Sequence, residues 1–149
     1  MKTILFSLAF LVLLSCGTKK IAGDGTGQTI EMKTEKKLIA TLGKAESSTN
    51  TFKITDAVID GNKLILNISY SGGCKEHTCS LVGSESISKS LPPLRSIQLV
   101  RTGEQDLCKA MIMKKLEFDI KNLAYKQEVG SEIVLNLEGW KEPLRYVFK

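Results

Sequence analysis

The strongest constraint on the fold is a pair of segments, on either side of a tight turn, in which apolar and polar residues alternate. After the turn Asp60-Gly61-Asn62, apolar or aromatic side chains stand at every second position: Leu64, Leu66, Ile68 and Tyr70. Before it, Phe52, Ile54 and Val58 keep the same spacing, with Asp56 as the one interruption. Period-two alternation is typical of a strand with one buried face, and Asp-Gly favours a hairpin turn. The two segments therefore predict a β-hairpin.

Further short segments of strand character follow the hairpin: Thr78 to Val82, Leu94 to Val100, Ala110 to Phe118, Glu132 to Leu137 and Leu144 to Phe148. Pro92-Pro93 breaks the chain between two of them, and Asp119 to Tyr125 has room for one helical turn. Many short strands separated by turn residues predict an all-β protein. We expect an antiparallel β-sandwich, with the immunoglobulin arrangement as one candidate topology and at most one short helical turn.

The first fifteen residues predict a removable export signal. Lys2 supplies the positive charge, and Ile4 to Leu14 is an apolar stretch interrupted only by Ser7 and Ala9. Its length matches the core of a signal peptide and is too short to cross a hydrocarbon layer of about 30 Å. We therefore expect a signal peptide over residues 1–15.

The end of this signal, Leu13-Leu14-Ser15-Cys16-Gly17, resembles the lipobox of bacterial lipoprotein precursors. The resemblance implies that the Cys16 thiol is acylated, palmitate being one such acyl group, and that the chain is cut before this cysteine. Gly17 is not the aspartate that commonly retains such proteins at an inner membrane, so the resemblance favours the periplasmic face of an outer membrane. An ordinary signal peptide followed by a chance cysteine is the alternative.

The chain after Cys16 divides into a tether and one domain. Gly17 to Thr29 contains four glycines and few apolar residues, which is typical of a flexible linker. We assign residues 16–30 to the lipidated cysteine and tether and residues 31–149 to a single β-sandwich domain. Ile30 to Ala45 fits either a short edge strand or more linker with a helical turn. The formal charge of +5 comes from scattered lysines rather than a basic face, so nucleic acid is not an expected partner.

Three cysteines remain after Cys16, and export favours a disulfide among them. If the strand near Thr78 is extended, Cys74 and Cys79 can lie up to about 16 Å apart, too far for a bridge. Cys74 follows one strand and Cys108 precedes another, positions from which a bridge can join two elements. We expect Cys74–Cys108, with Cys79–Cys108 as the alternative, and predict that Cys79 is free and mostly buried.

The segment Gly72-Gly73-Cys74-Lys75-Glu76-His77 resembles the core of a family of small exported bacterial proteins of unknown function. Pro92-Pro93, Cys108 and Phe118-Asp119 also fit, and the resemblance covers about a third of the chain, from Tyr70 to Leu123. It implies the Cys74–Cys108 pair and supplies no activity. The chain departs from the family at Cys79, where an aromatic residue is common, and near Arg101, where a second histidine is common.

A metal site is an alternative use of the same residues. Cys74, His77, Cys79 and Cys108 offer four thiol or imidazole ligands, which suit zinc or copper(I). His77 and Cys79 would project from one face of a strand. The spacing matches no common paired-cysteine metal motif, and disulfide formation competes for the thiols. We therefore predict no bound metal or other cofactor, and keep His77 and Cys79 as weak candidate ligands.

No catalytic arrangement can be assembled from the remaining residues. The chain has a single histidine, and the serines from Ser84 to Ser90 fit a solvated loop better than a nucleophile. Trp140 and the pair Met111 and Met113 favour ordinary packing, with an exposed anchor or a mildly apolar face as the alternative. We expect a non-enzymatic, membrane-anchored binding or structural module whose partner is an unidentified envelope protein or ligand. The alternative is a periplasmic metal-binding or redox accessory protein that uses His77 and Cys79.

Overall fold

The computed structural model describes residues 37–49 and 51–149. In that part of the chain, strands dominate and one short 3-10 helix is present. In chain order the elements are β1 (Leu38–Ile39), β2 (Thr41–Leu42), β3 (Lys53–Asp60), β4 (Lys63–Gly72), β5 (His77–Gly83), β6 (Leu94–Gly103), β7 (Ala110–Asp119), the 3-10 helix (Lys121–Leu123), β8 (Glu132–Leu137) and β9 (Leu144–Val147). Within the same residues, no helix is long and apolar enough to cross a membrane.

The strands form two sheets that pack face to face. One sheet has the order β1-β7-β4-β3, and the other has the order β2-β5-β6-β8-β9. Most neighbours are antiparallel, but β1 with β7, β2 with β5, and β6 with β8 are parallel. The predicted all-β sandwich is confirmed. Its two sheets are mixed and not antiparallel throughout as expected, because three of the pairings join strands that run in the same direction. The predicted hairpin is β3 and β4, joined at Gly61 with φ +57°.

A β-bulge in β3 explains why Asp56 interrupts the alternation. Ile54 pairs with Ile68 and Asp56 pairs with Asn67, which leaves Thr55 as an extra residue on the β3 side. An extra residue reverses the side-chain phase of the strand beyond it. Ala57 is accordingly buried and Val58 is half exposed, so Val58 does not share the face of Ile54 as the simple alternation predicts.

The segment from Leu38 to Leu42 joins the two sheets along one edge of the sandwich. Leu38 and Ile39 pair with Phe118 and Asp119 at the end of β7, whereas Thr41 and Leu42 pair with the end of β5. Ala40, between the two short strands, is fully buried. This part of the Ile30 to Ala45 segment is thus an edge strand that changes sheet, and residues 30–36 lie outside the described part. The helical turn expected between Asp119 and Tyr125 is confirmed at Lys121–Leu123.

Candidate functional site

Polar and sulfur-bearing side chains gather at one end of the sandwich. This end holds the C-termini of β4 and β6 and the N-termini of β5 and β7. A disulfide joins Cys74, after β4, to Cys108, before β7, with the Cα atoms 5.9 Å apart. The predicted Cys74–Cys108 pair is confirmed. We call this region, residues 70–79 and 101–113, the disulfide end.

Asp106 organises both loops of the disulfide end. Its Oδ2 atom accepts hydrogen bonds from the main-chain N–H groups of Gly73 (2.8 Å), Cys74 (3.1 Å) and Lys75 (3.0 Å). Its Oδ1 atom accepts a fourth, from the N–H of Cys108 at 3.0 Å. The carboxylate therefore bridges the two loops that the disulfide also joins.

These hydrogen bonds keep the Asp106 carboxylate charged. Its side chain is only 2% exposed, and burial alone would raise its pKa. The four N–H donors favour the charged form and outweigh burial, so the net pKa lies well below its ordinary value. A carboxylate with such a pKa is a poor proton donor and a weak base near neutral pH. We conclude that Asp106 has a structural role.

The two glycines before Cys74 make room for this carboxylate. A Cβ atom at Gly72 would lie 2.8 Å from Oδ2 of Asp106. Gly73 has a φ of +113°, a conformation that side chains rarely adopt. The three successive N–H groups of Gly73, Cys74 and Lys75 thus point toward one oxygen. This is the geometry of an anion-binding nest. The anion in this nest is supplied by the chain itself.

His77 is enclosed beside Asp106. Its side chain is 2% exposed, and its Nε2 atom lies 3.6 Å from Oδ2 of Asp106. The imidazole ring meets the ring of Tyr70 edge to face, with the centroids 6.2 Å apart. Gly103 allows this packing, because a Cβ atom there would lie 2.6 Å from Nδ1 of His77. The one histidine of the chain is therefore packed between the sheets.

Arg101 completes the cluster, although the sequence interpretation did not assign it a role. Its side chain is buried, and its guanidinium lies 3.7 Å from the centroid of the Tyr70 ring, a close cation–π contact. Its Nη1 atom donates to the main-chain oxygen of Thr51 at 3.3 Å. The sequence contains one signal for the burial of Arg101. It lies two residues after Leu99 and four after Ile97, on the face of β6 whose side chains are buried.

Cys79 lies outside the disulfide, on the same face of β5 as His77. It is half buried, somewhat more exposed than expected, and it packs against the hydrophobic core. Among the described residues, one group of three potential metal ligands comes close together: Cys74, Asp106 and Cys108. Two of its three members are the disulfide cysteines. His77 and Cys79 do not belong to such a group, and the metal alternative remains a hypothesis.

The remaining residues considered in the sequence analysis lie outside the disulfide end or on its surface. Trp140 is half buried against the core, in agreement with the packing interpretation. The Ser84 to Ser90 loop is largely exposed. Met111 and Met113 do not show the expected ordinary packing, since they are 71% and 76% exposed. The lipobox cysteine, Cys16, lies outside the described residues.

Comparisons with known proteins identify the fold only. No protein-family model matches the chain, and no curated protein matches it in sequence. A NigD-like immunity protein from Bacteroides caccae is similar in structure, with a TM-score of 0.58 at 12% identity over 76% of this chain. A toxin-related protein from Parabacteroides distasonis (TM-score 0.44, 14% identity, 74% of this chain) and a DUF1344 protein of unknown function from Bacteroides vulgatus (0.46, 14%, 76%) are further matches. This chain covers 65%, 61% and 56% of the three structures, respectively, which is less than two thirds of each.

Proposed function

We propose that the chain is a lipid-anchored, non-enzymatic binding or structural module of the cell envelope. The anchor is supported by the sequence Leu13-Leu14-Ser15-Cys16-Gly17 and by the apolar stretch that precedes it. We propose the periplasmic face of the outer membrane as its location. This part rests on the resemblance to a lipobox and on Gly17, which is not the aspartate that commonly retains lipoproteins at an inner membrane.

One observation carries the non-enzymatic part of the proposal: the buried carboxylate and the disulfide of the disulfide end hold the loops of the domain together. Asp106 is held by four main-chain N–H groups, and two of the three domain cysteines are in the disulfide. The side chain of His77, the one histidine, is almost fully enclosed. Catalysis needs such groups to face a substrate. Their use in holding loops together favours a module that acts through its surface.

A labelling experiment tests the anchor. Cells that express the full chain are fed an alkyne analogue of palmitate, and the label on the purified protein is measured after membrane fractionation. We expect wild type to carry the label and sediment with membranes, and Cys16→Ala to lose both properties. Cys79→Ala is the matched control, since it removes a cysteine outside the disulfide and should keep the label. Mass spectrometry that finds Cys16 unmodified within the processed chain would refute the anchor.

A metal-binding or redox accessory protein is the second candidate. The observation that favours it is the position of His77 and Cys79 two residues apart on one inward face of β5. Elemental analysis of the purified full chain, together with thiol titration, separates the two functions. Our proposal predicts less than about one tenth of an equivalent of zinc or copper, whereas a bound structural metal is stoichiometric. A full equivalent that is lost in both His77→Gln and Cys79→Ala would favour the second candidate.

A further inference from the structure

Two independent links join the loops of the disulfide end. The disulfide connects Cys74, in the loop after β4, to Cys108, in the loop before β7. The carboxylate of Asp106 accepts hydrogen bonds from main-chain N–H groups in the same two loops. Because none of these hydrogen bonds involves a sulfur atom, reduction of the disulfide removes one link and leaves the other intact. We therefore expect the two cysteines to remain side by side after reduction.

Reduction leaves three potential metal ligands around one point. The Sγ atoms of Cys74 and Cys108 and a carboxylate oxygen of Asp106 all lie within 4.8 Å of one another. In the bridged state the two sulfur atoms are bonded to each other, so neither can bind an ion as a thiolate. In a tetrahedral zinc site with bonds of about 2.0–2.3 Å, neighbouring ligand atoms are about 3.3–3.8 Å apart. Small rotations of the two cysteine side chains are enough to reach this spacing once the sulfur atoms are no longer bonded.

The disulfide lies where a reductant can reach it. Cys74 is exposed and Cys108 is half buried. Exposed disulfides are more easily reduced than buried structural ones. A dithiol reductant gives two electrons and two protons to the bridge and becomes a disulfide itself. A divalent ion then displaces the two thiol protons and binds both thiolates.

The three ligand groups favour zinc. Magnesium and calcium prefer sites made of oxygen atoms, whereas zinc binds cysteine sulfur and carboxylate oxygen together. Two thiolates and one carboxylate carry three negative charges, which a divalent cation largely neutralises. Among the described residues no further cysteine, histidine or carboxylate joins the group, so we assign the fourth position to water. His77, whose Nε2 atom lies 3.6 Å from Oδ2 of Asp106, is a positioning residue for that carboxylate.

We propose that the disulfide end is a redox-controlled zinc site, in which Cys74, Cys108 and Asp106 bind the ion after the disulfide has been reduced. The bridged form holds the two loops together without an ion, and the reduced form holds them through the ion and Asp106. This inference goes beyond the binding or structural module proposed above and does not depend on the lipid anchor. It also differs from the second candidate function, which uses Cys79 and leaves the disulfide intact.

Cobalt(II) binding to the full chain tests the site, because cobalt(II) occupies zinc sites and its bonds to thiolates absorb light. The purified protein is compared in two states, bridged and reduced. The reductant is a phosphine, which contains no competing thiol and is removed before the ion is added. Zinc is then titrated against the bound cobalt to give the affinity. We expect about one equivalent of cobalt in the reduced chain and less than about one tenth of an equivalent in the bridged chain.

Single substitutions identify the ligands. Cys74→Ser and Cys108→Ser should each weaken zinc binding by at least about a hundredfold and remove about half of the thiolate absorption, because one of two sulfur ligands is lost. Asp106→Asn should weaken zinc binding by at least about tenfold. Cys79→Ala and Cys16→Ala are the matched controls, since each removes a cysteine outside the proposed site and should leave the affinity unchanged.

Amide hydrogen exchange separates loss of the site from loss of the fold. The N–H groups of Gly73, Lys75 and Cys108 donate to Asp106, and we expect them to remain protected in the reduced, metal-free chain. The same measurement shows whether each variant is folded. Rapid exchange at these three groups after reduction would overturn the proposal, as would a reduced wild-type chain that binds no cobalt. Stoichiometric binding by the bridged chain would refute the redox control. Loss of binding in Cys79→Ala would overturn the ligand assignment in favour of the second candidate.

Discussion

Two polar side chains at opposite ends of the domain, Asp106 and Asn62, each make three hydrogen bonds to residues distant in the sequence. Asp106 fixes the loops at the disulfide end. Asn62, in the β3–β4 turn, accepts hydrogen bonds at Oδ1 from the hydroxyl of Tyr146 (2.8 Å) and the N–H of Lys149 (3.0 Å). Its Nδ2 also donates to the main-chain oxygen of Lys149. Each residue therefore joins segments that are distant in the sequence.

Replacement of Asp106 by asparagine should lower stability in a pH-dependent manner. The pKa of Asp106 is lowered in the folded state, so its contribution is present above its unfolded value near 3.9 and is lost as the pH falls through the folded pKa. We expect Asp106→Asn to unfold at lower denaturant concentration at pH 7, and the difference from wild type to narrow below about pH 4. Urea midpoints at several pH values measure this. Glu46→Gln, at an exposed position, is the control. A difference in urea midpoint between Asp106→Asn and wild type that does not change with pH would contradict the prediction.

Asn62→Ala should destabilise the domain by about 2–3 kcal/mol, because three hydrogen bonds are removed at once. Tyr146→Phe removes only the hydroxyl bond and should lose about 1 kcal/mol. Burial, aided by the charge of Asp119, raises the pKa of Tyr146 to about 12, so its hydroxyl remains a donor at ordinary pH. Guanidinium unfolding of the two variants gives the comparison. Equal losses of unfolding free energy in the two variants would show that Asn62 stabilises the domain only through its hydrogen bond with Tyr146.

At the level of strands, the sequence predicts the positions of the elements better than their pairing. β5, β6, β7, β8 and β9 all begin within a residue of the expected positions, because alternation and turn residues are local signals. The three parallel pairings join strands that are not consecutive, and no local pattern reports them. The cluster of Tyr70, Arg101 and Asp106 also escaped prediction, since it forms only when separate strands and loops meet.

The bulge at Thr55 gives a strand-level prediction. Ala57 faces the core and Val58 faces outward, the reverse of what uninterrupted alternation from Ile54 requires. We expect Ala57→Asp to destabilise the domain by several kcal/mol or prevent folding, because it buries an unpaired charge. Val58→Asp should change stability by less than about 1 kcal/mol. Thermal melting of both variants is the measurement, and the opposite order would mean that β3 has no phase reversal.

At the level of the whole molecule, one disulfide joins the loop after β4 to the loop before β7. The Cys74–Cys108 disulfide closes a loop of 34 residues that contains β5 and β6, so it restricts the unfolded chain over a long segment. The sequence predicts this pair because both cysteines flank strands. Cys79, inside β5, contributes as a small side chain packed against the core.

Removal of the disulfide should therefore weaken the domain far more than removal of the remaining thiol. We expect the double variant Cys74→Ser, Cys108→Ser to lose about 2–5 kcal/mol and Cys79→Ala to lose about 1 kcal/mol. Denaturant unfolding compares them, and thiol titration of the unfolded wild-type domain should count one reactive group. A larger loss in Cys79→Ala than in the double variant would contradict this assignment.

The sheet-crossing segment Leu38–Leu42 bears on the order in which the parts of the domain assemble. Leu38 and Phe118 are paired although they lie roughly eighty residues apart, a distant contact that carries a high closure entropy. Synthesis from the N-terminus completes this segment well before β7, its partner in the sheet. The β3–β4 hairpin, by contrast, has all its contacts within one short stretch. We expect the hairpin to form early and the N-terminal edge to dock last, so that a late folding intermediate exposes the ends of β5 and β7.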